Sequence, residues 1–176
     1  MKALIQTASP ETGQKEIQKG YAFYKNRGVD MPHPMELMTA SPGYFSIMFN
    51  RSLYYSNHPH LSFSLLAHIR YFASCRLDYG FCKTFNKEQL MKMGMTNADF
   101  QAMKDDPAKS LLEENEQRML SFVIRAMDDP EAITKDDIEG LRTEGWTDAD
   151  MLDALAQGVG MMDHNIFMRV FKPRGA

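Results

Sequence analysis

Tyr79, Cys82 and Asn86 are spaced three and four residues apart, so a helix through them carries all three on one face. If Asp78 caps that helix, Cys82 falls in its first turn or just beyond, where free backbone N–H groups favour the thiolate and Lys83 adds a positive charge. The chemistry such a group offers is that of an activated thiol: attack on an electrophile, or oxidation by a peroxide. The same residues also read as packing, because free cysteine is among the most buried residue types. The two readings differ in whether solvent reaches the sulfur.

A second thiol stands at Cys75. On one unbroken helix its α-carbon lies about 10 Å from that of Cys82, beyond the roughly 4.4–6.8 Å a disulfide spans. Only a sharp break near Leu77-Asp78 brings the two together. His58-x-His60 is at most half a metal site and reads first as a solvated turn. His68 and His164 are either satisfied core histidines or lining of a pocket around Cys82, and Trp146 is a packing anchor. The sequence has no glycine-rich phosphate loop, nucleophile elbow or metalloprotease motif. No cofactor or metal is expected.

The elements that must position these residues read as helices. Thr96…Asp99, Ser110…Glu113, Thr134…Asp137 and Thr147…Asp150 each place a hydroxyl three residues before an acid, the pattern of a capping box. Gly94 and Gly145 stand where helix-ending glycines belong, and Asp128-Asp129-Pro130 stops the segment that opens near Ser110. Met151, Leu152, Leu155, Val159, Met162, Ile166 and Val170 keep a three-to-four residue period and predict one long final helix. Gly158 and Gly160 within it point to a close backbone approach. Toward the N-terminus, residues 10–27 predict a weakly amphipathic helix using Ile17, Tyr21 and Tyr24. Ser41-Pro42 opens another, and a third runs from Leu61 to about Arg76. With no alternating strand pattern, the prediction is an all-α fold of about seven or eight helices.

Composition bounds the function. A chain of 176 residues with 44% hydrophobic and 24% charged residues can bury its own core without disulfide or metal staples. A net charge of -3 with scattered basic residues argues against nucleic acid and anionic membrane surfaces as partners. No apolar run approaches a membrane span, and the N-terminus turns polar too soon for a signal peptide. With two cysteines there is no secreted disulfide framework, so a cytoplasmic location is expected. Fifteen methionines read as flexible core filler, or alternatively as a promiscuous ligand surface.

Taken in order, these segments resemble the carboxymuconolactone decarboxylase / AhpD-like family. That family has a helix, a Cys-x-Tyr-Cys-x3-His site, a helix ending in glycine, a capped helix, and Leu-Arg-x-x-Gly before a final helix. Here stand Tyr79-Gly80-Phe81-Cys82, Asn86, Gly94-Met95-Thr96, Thr134 through Gly145 and Asn165-Ile166-Phe167-Met168-Arg169. Pro34-Met35-Glu36-Leu37 and Ser41-Pro42-Gly43 are similar to its lead-in. The resemblance covers about residues 32–171. It implies an AhpD-like helical domain over 31–176, a helical extension over 1–30, a homo-oligomer, and a small-molecule substrate or external thiol as partner. It also implies a peroxidase-related role, with Cys82, Tyr79, Asn86 and His68 as the candidate catalytic residues. The departures are specific. Cys82 takes the second cysteine position, Tyr79 the first and Asn86 that of the histidine, while Ala67 takes that of the acid, with His68 and Arg70 the nearest polar groups. A dithiol cycle is therefore closed to this site, whereas oxidation of one thiol, resolved by an external thiol, stays open. The family's decarboxylase branch implies an alternative, cofactor-free acid–base chemistry on a small organic acid or lactone through His68, Arg70, Tyr79 and Asn86. A third reading keeps the fold for binding or assembly without turnover.

Overall fold

A computed structural model describes residues 3–77 and 80–171, with the backbone alone at Phe81 and Asp105. Among them are ten α-helices, α1 Lys15–Lys25, α2 His33–Met38, α3 Pro42–Ser56, α4 Phe63–Arg76, α5 Gly80–Lys92, α6 Asn97–Asp105, α7 Glu114–Asp128, α8 Lys135–Thr143, α9 Asp148–Val159 and α10 Met161–Phe171. Short 3-10 turns cover Pro107–Lys109 and Pro130–Ala132, and no strand occurs among the described residues. The all-α expectation holds. None of these helices is long and apolar enough to cross a membrane.

Local signals set most of the boundaries. Thr96, Thr134 and Thr147 each accept a hydrogen bond from the backbone N–H three residues on, and Asp99, Asp137 and Asp150 reach back to the cap N–H. The fourth expected box does not form. Helix α7 begins at Glu114 after Glu113, with no side-chain cap, because Ser110 closes the preceding 3-10 turn instead. Gly94 and Gly145 adopt φ of 100° and 94°, the left-handed conformation that ends α5 and α8. The predicted long final helix is two, broken at Gly160 between α9 and α10.

The chain forms two compact units. One gathers the described residues of Met1–Asn57 and Ile166–Ala176. Its core is Ile17, Met31, Met35, Met38, Phe45, Met48 and Phe49, with the Phe167 ring edge-on to Tyr44 at 5.8 Å. The other is His58–Asn165, in which α4 packs against α5, α7 and α9. Among the described residues ten methionines are buried and serve as core filler.

Helix α1 owes its seat on α3 to one glycine. A Cβ on Gly20 would stand 2.4 Å from Cζ of Phe45, whose side chain is wholly buried. Alanine is the better helix former by about 1 kcal/mol, yet the steric cost of overpacking, typically 1–3 kcal/mol, outweighs that gain. Gly20→Ala is therefore expected to destabilise the protein in urea unfolding; a stabilised variant would contradict this packing.

Candidate functional site

Within the His58–Asn165 unit, α4, α5 and the first residues of α10 converge on Cys82. It stands near the start of α5, three residues into its described length. Its side chain packs with Ala73 of α4 and Met161 of α10, and Leu77 and Met127 close over them. Asn86, one turn along α5, is buried with it. The Asn86 amide Nδ2 donates to the Cys82 carbonyl oxygen at 2.8 Å and to Ser74 Oγ at 3.1 Å. Ser74 spends its own hydrogen on the Arg70 carbonyl oxygen at 2.7 Å, so its oxygen must accept from Asn86, which fixes the amide's orientation. Asn165 of α10, 5% exposed, donates from Nδ2 to the Leu77 carbonyl oxygen at 3.2 Å and satisfies a helix-end acceptor of α4.

The electrostatics reverse one expectation. Position near a helix start and the neighbouring Lys83 favour a thiolate, but Lys83 is exposed while Cys82 is only 5% exposed. Burial pushes the Cys82 thiol up to about 11, so near neutral pH it is a protonated thiol rather than an activated one. Cys75 is also free and half-buried. Helix α4 ends at Arg76 and α5 is described from Gly80, and Cys75 and Cys82 are two free thiols rather than a disulfide. Burial first, and then Cys75, raise the Tyr71 phenol above its usual range.

Of the four candidate residues, the structure brings Cys82 and Asn86 together. Tyr79 lies outside the described residues. His68 is not part of this cluster: it precedes Ala73 by five residues on α4, a rotation of about 140°. Its Nδ1 donates to the Ser64 carbonyl oxygen at 2.8 Å, so Nδ1 carries the hydrogen and Nε2 a bare lone pair. Nε2 is buried with no hydrogen-bond partner among the described residues. Burial lowers its pKa, opposed by the Ser64 bond and by Glu116.

Sequence reading missed Ser74 and Met161, which carry no motif, and treated Asn165 only as part of a pattern. It also took His58-x-His60 for a solvated turn. His58 Nε2 meets Asp153 at 3.2 Å and His60 Nδ1 meets Asp150 at 3.1 Å, pinning the turn to α9. No group of three or more His, Cys, Asp or Glu among the described residues is placed to hold a metal ion. A cleft of about 470 Å³ between α7 and α8 shares no residue with the Cys82 cluster, and its Arg118 and Arg125 are already paired with Glu144 and Asp137.

Folded His68 binds its proton less tightly than the unfolded chain does. The stability this preserves is present above the ordinary histidine value of 6.5 and is lost as pH falls through the depressed one. His68→Leu removes both the acid-dependent loss and the bare acceptor, and is expected to be roughly 1 kcal/mol more stable at pH 7. Its advantage over wild type in urea unfolding widens from pH 7 to pH 5; parallel profiles would contradict this assignment.

No protein-family model matches the sequence, and no curated protein is significantly similar to it. Solved structures do match. One is the alkylhydroperoxidase AhpD core of an uncharacterized peroxidase-related protein from Ralstonia eutropha JMP134. It superposes with a TM-score of 0.78 at 16% identity over 98% of this chain and 91% of that one. Another, an uncharacterized peroxidase-related protein from Silicibacter sp. TM1040, gives a TM-score of 0.69 at 17% identity over 94% and 85%. Identities this low speak for the fold alone, and the resemblance read from the sequence holds at that level: this chain has the AhpD-like all-α fold.

Proposed function

We propose that this chain is a peroxidase-related thiol protein whose single reacting atom is the Cys82 sulfur. The observation that carries the reading is the seat of Cys82 near the start of α5, against the end of α4, as a free thiol with no disulfide to Cys75. The likeness of fold to two peroxidase-related proteins supports it.

The reaction needs no second cysteine. The Cys82 thiolate attacks the terminal oxygen of a hydroperoxide, the O–O bond breaks, and the departing alkoxide takes up the proton as an alcohol. Sulfur is oxidised to a sulfenic acid. An external thiol condenses with it, releasing water and leaving a mixed disulfide, which a second external thiol reduces to regenerate Cys82. With the thiol held at about 11, only about one molecule in ten thousand carries the thiolate at pH 7, so turnover is slow near neutrality.

A second reading, a relative that keeps the fold for binding or assembly without turnover, is favoured by the burial of Cys82 at 5% and Asn86 at 2% exposure. The acid–base reading has less support. Its histidine lies off the cluster, with Nδ1 committed to Ser64.

The experiment is trapping with dimedone after treatment with hydrogen peroxide, read by peptide mass spectrometry, alongside thiol-dependent peroxide consumption. A sulfenic acid at residue 82, and consumption abolished in Cys82→Ser, are expected. A Cys82 that stays unmodified, with no thiol-dependent consumption above the buffer blank, would establish the second reading.

A further inference from the structure

Asn165 is the buried polar group near Cys82 that has capacity to spare. Its residue is 95% removed from solvent, and its Oδ1 has no hydrogen-bond partner among the described residues. The amide cannot turn over to relieve this. Nδ2 faces the Leu77 carbonyl oxygen, which can only accept, so the donor end is committed and the acceptor end is left bare. Asn165 lies one turn after Met161 on α10, and Met161 packs on the Cys82 side chain. Leu77, the residue Asn165 holds, packs against the same cluster. Met161 and Leu77 thus tie Asn165 to the cluster that encloses the thiol. The other polar group of the cluster, the Asn86 Nδ2, is already spent on Cys82 and Ser74.

We propose that Asn165 Oδ1 is the substrate-positioning acceptor of this site, receiving the O–H of a small hydroperoxide and so presenting its terminal oxygen to the Cys82 sulfur. The inference rests on the peroxide chemistry proposed above and adds its substrate class: an oxidant that itself donates a hydrogen bond, and one small enough for a sulfur so enclosed. Oxidants without an O–H gain nothing from Asn165. The oxidation step is unchanged: sulfur takes the terminal oxygen, the O–O bond breaks, and the leaving oxygen departs protonated as water or an alcohol.

The test uses Cys75→Ser protein, so that residue 82 is the thiol being read. Its rates are measured with hydrogen peroxide and with methyl methanethiosulfonate, a small thiol reagent with no O–H. Adding Asn165→Ala is expected to lower the peroxide rate about tenfold and leave the thiosulfonate rate unchanged, as loss of one hydrogen bond in the transition state implies. Equal changes in both rates would overturn the proposal, reducing Asn165 to a cap on Leu77 while the peroxide reading stands. A Cys82 that takes the thiosulfonate but not peroxide, or takes neither, before Asn165 is altered would overturn both together. Should Asn165→Ala fail to fold, the parent protein still decides. Its peroxide-to-thiosulfonate rate ratio is expected to exceed that of N-acetylcysteine about tenfold, and an equal ratio would overturn the proposal.

Discussion

Everything around the candidate site depends on the burial of α4. Nine of its fourteen residues are buried, on all sides of the helix, because α5, α7 and α9 pack around it. A helix apolar all round has no stable place except an interior. Polar groups it carries must then find partners inside the protein or go without, since burying one unpaired costs free energy. Ser74 finds Arg70 on its own helix and Asn86 on α5, and His68 finds Ser64 with one nitrogen only. The site is less an opening in the fold than a small set of polar atoms that a crowded helix leaves between itself and its neighbours.

The same burial decides the chemistry of the sulfur. A helix N-terminus offers about 0.3–1 kcal/mol to a nearby negative charge at an exposed position, and an exposed lysine adds little across water. Removing a thiolate from solvent costs more, and burial pushes the Cys82 thiol up. The fold is shared with peroxidase-related proteins, while the chain offers one enclosed thiol, an asparagine where the resemblance implies a histidine, and an alanine where it implies an acid. The centre therefore presents a thiol kept largely protonated, beside neutral amides rather than a histidine and an acid.

What the sequence disclosed follows from the range of the interactions involved. Thr96, Thr134 and Thr147 bond within three residues, and Gly94 and Gly145 respond to their own φ, so each was legible locally. Ser110 has the same spacing to its acid and caps no α-helix, because the adjoining 3-10 turn claims it. The break at Gly160 is invisible to an apolar period that passes through it. Gly158 did mark a close approach, since a Cβ there would meet Met127 Sδ at 2.7 Å. His58 and His60 meet acids ninety and more positions away, a pairing that spacing cannot announce. At the site, the placement of Cys82 and the company of Asn86 were readable from helical spacing. The sign of the thiol's shift was not, because it comes from burial of Cys82 among Ala73, Met161, Leu77 and Met127, which other elements bring to the cluster.

The most direct measurement is the ionisation of Cys82 itself, followed through its 13Cβ chemical shift in Cys75→Ser protein labelled at cysteine. A midpoint near 11 is the result that burial requires. A midpoint below about 8 would mean that the helix end and Lys83 govern the sulfur after all, and would contradict the claim that enclosure by α4, α5 and α10 sets its chemistry.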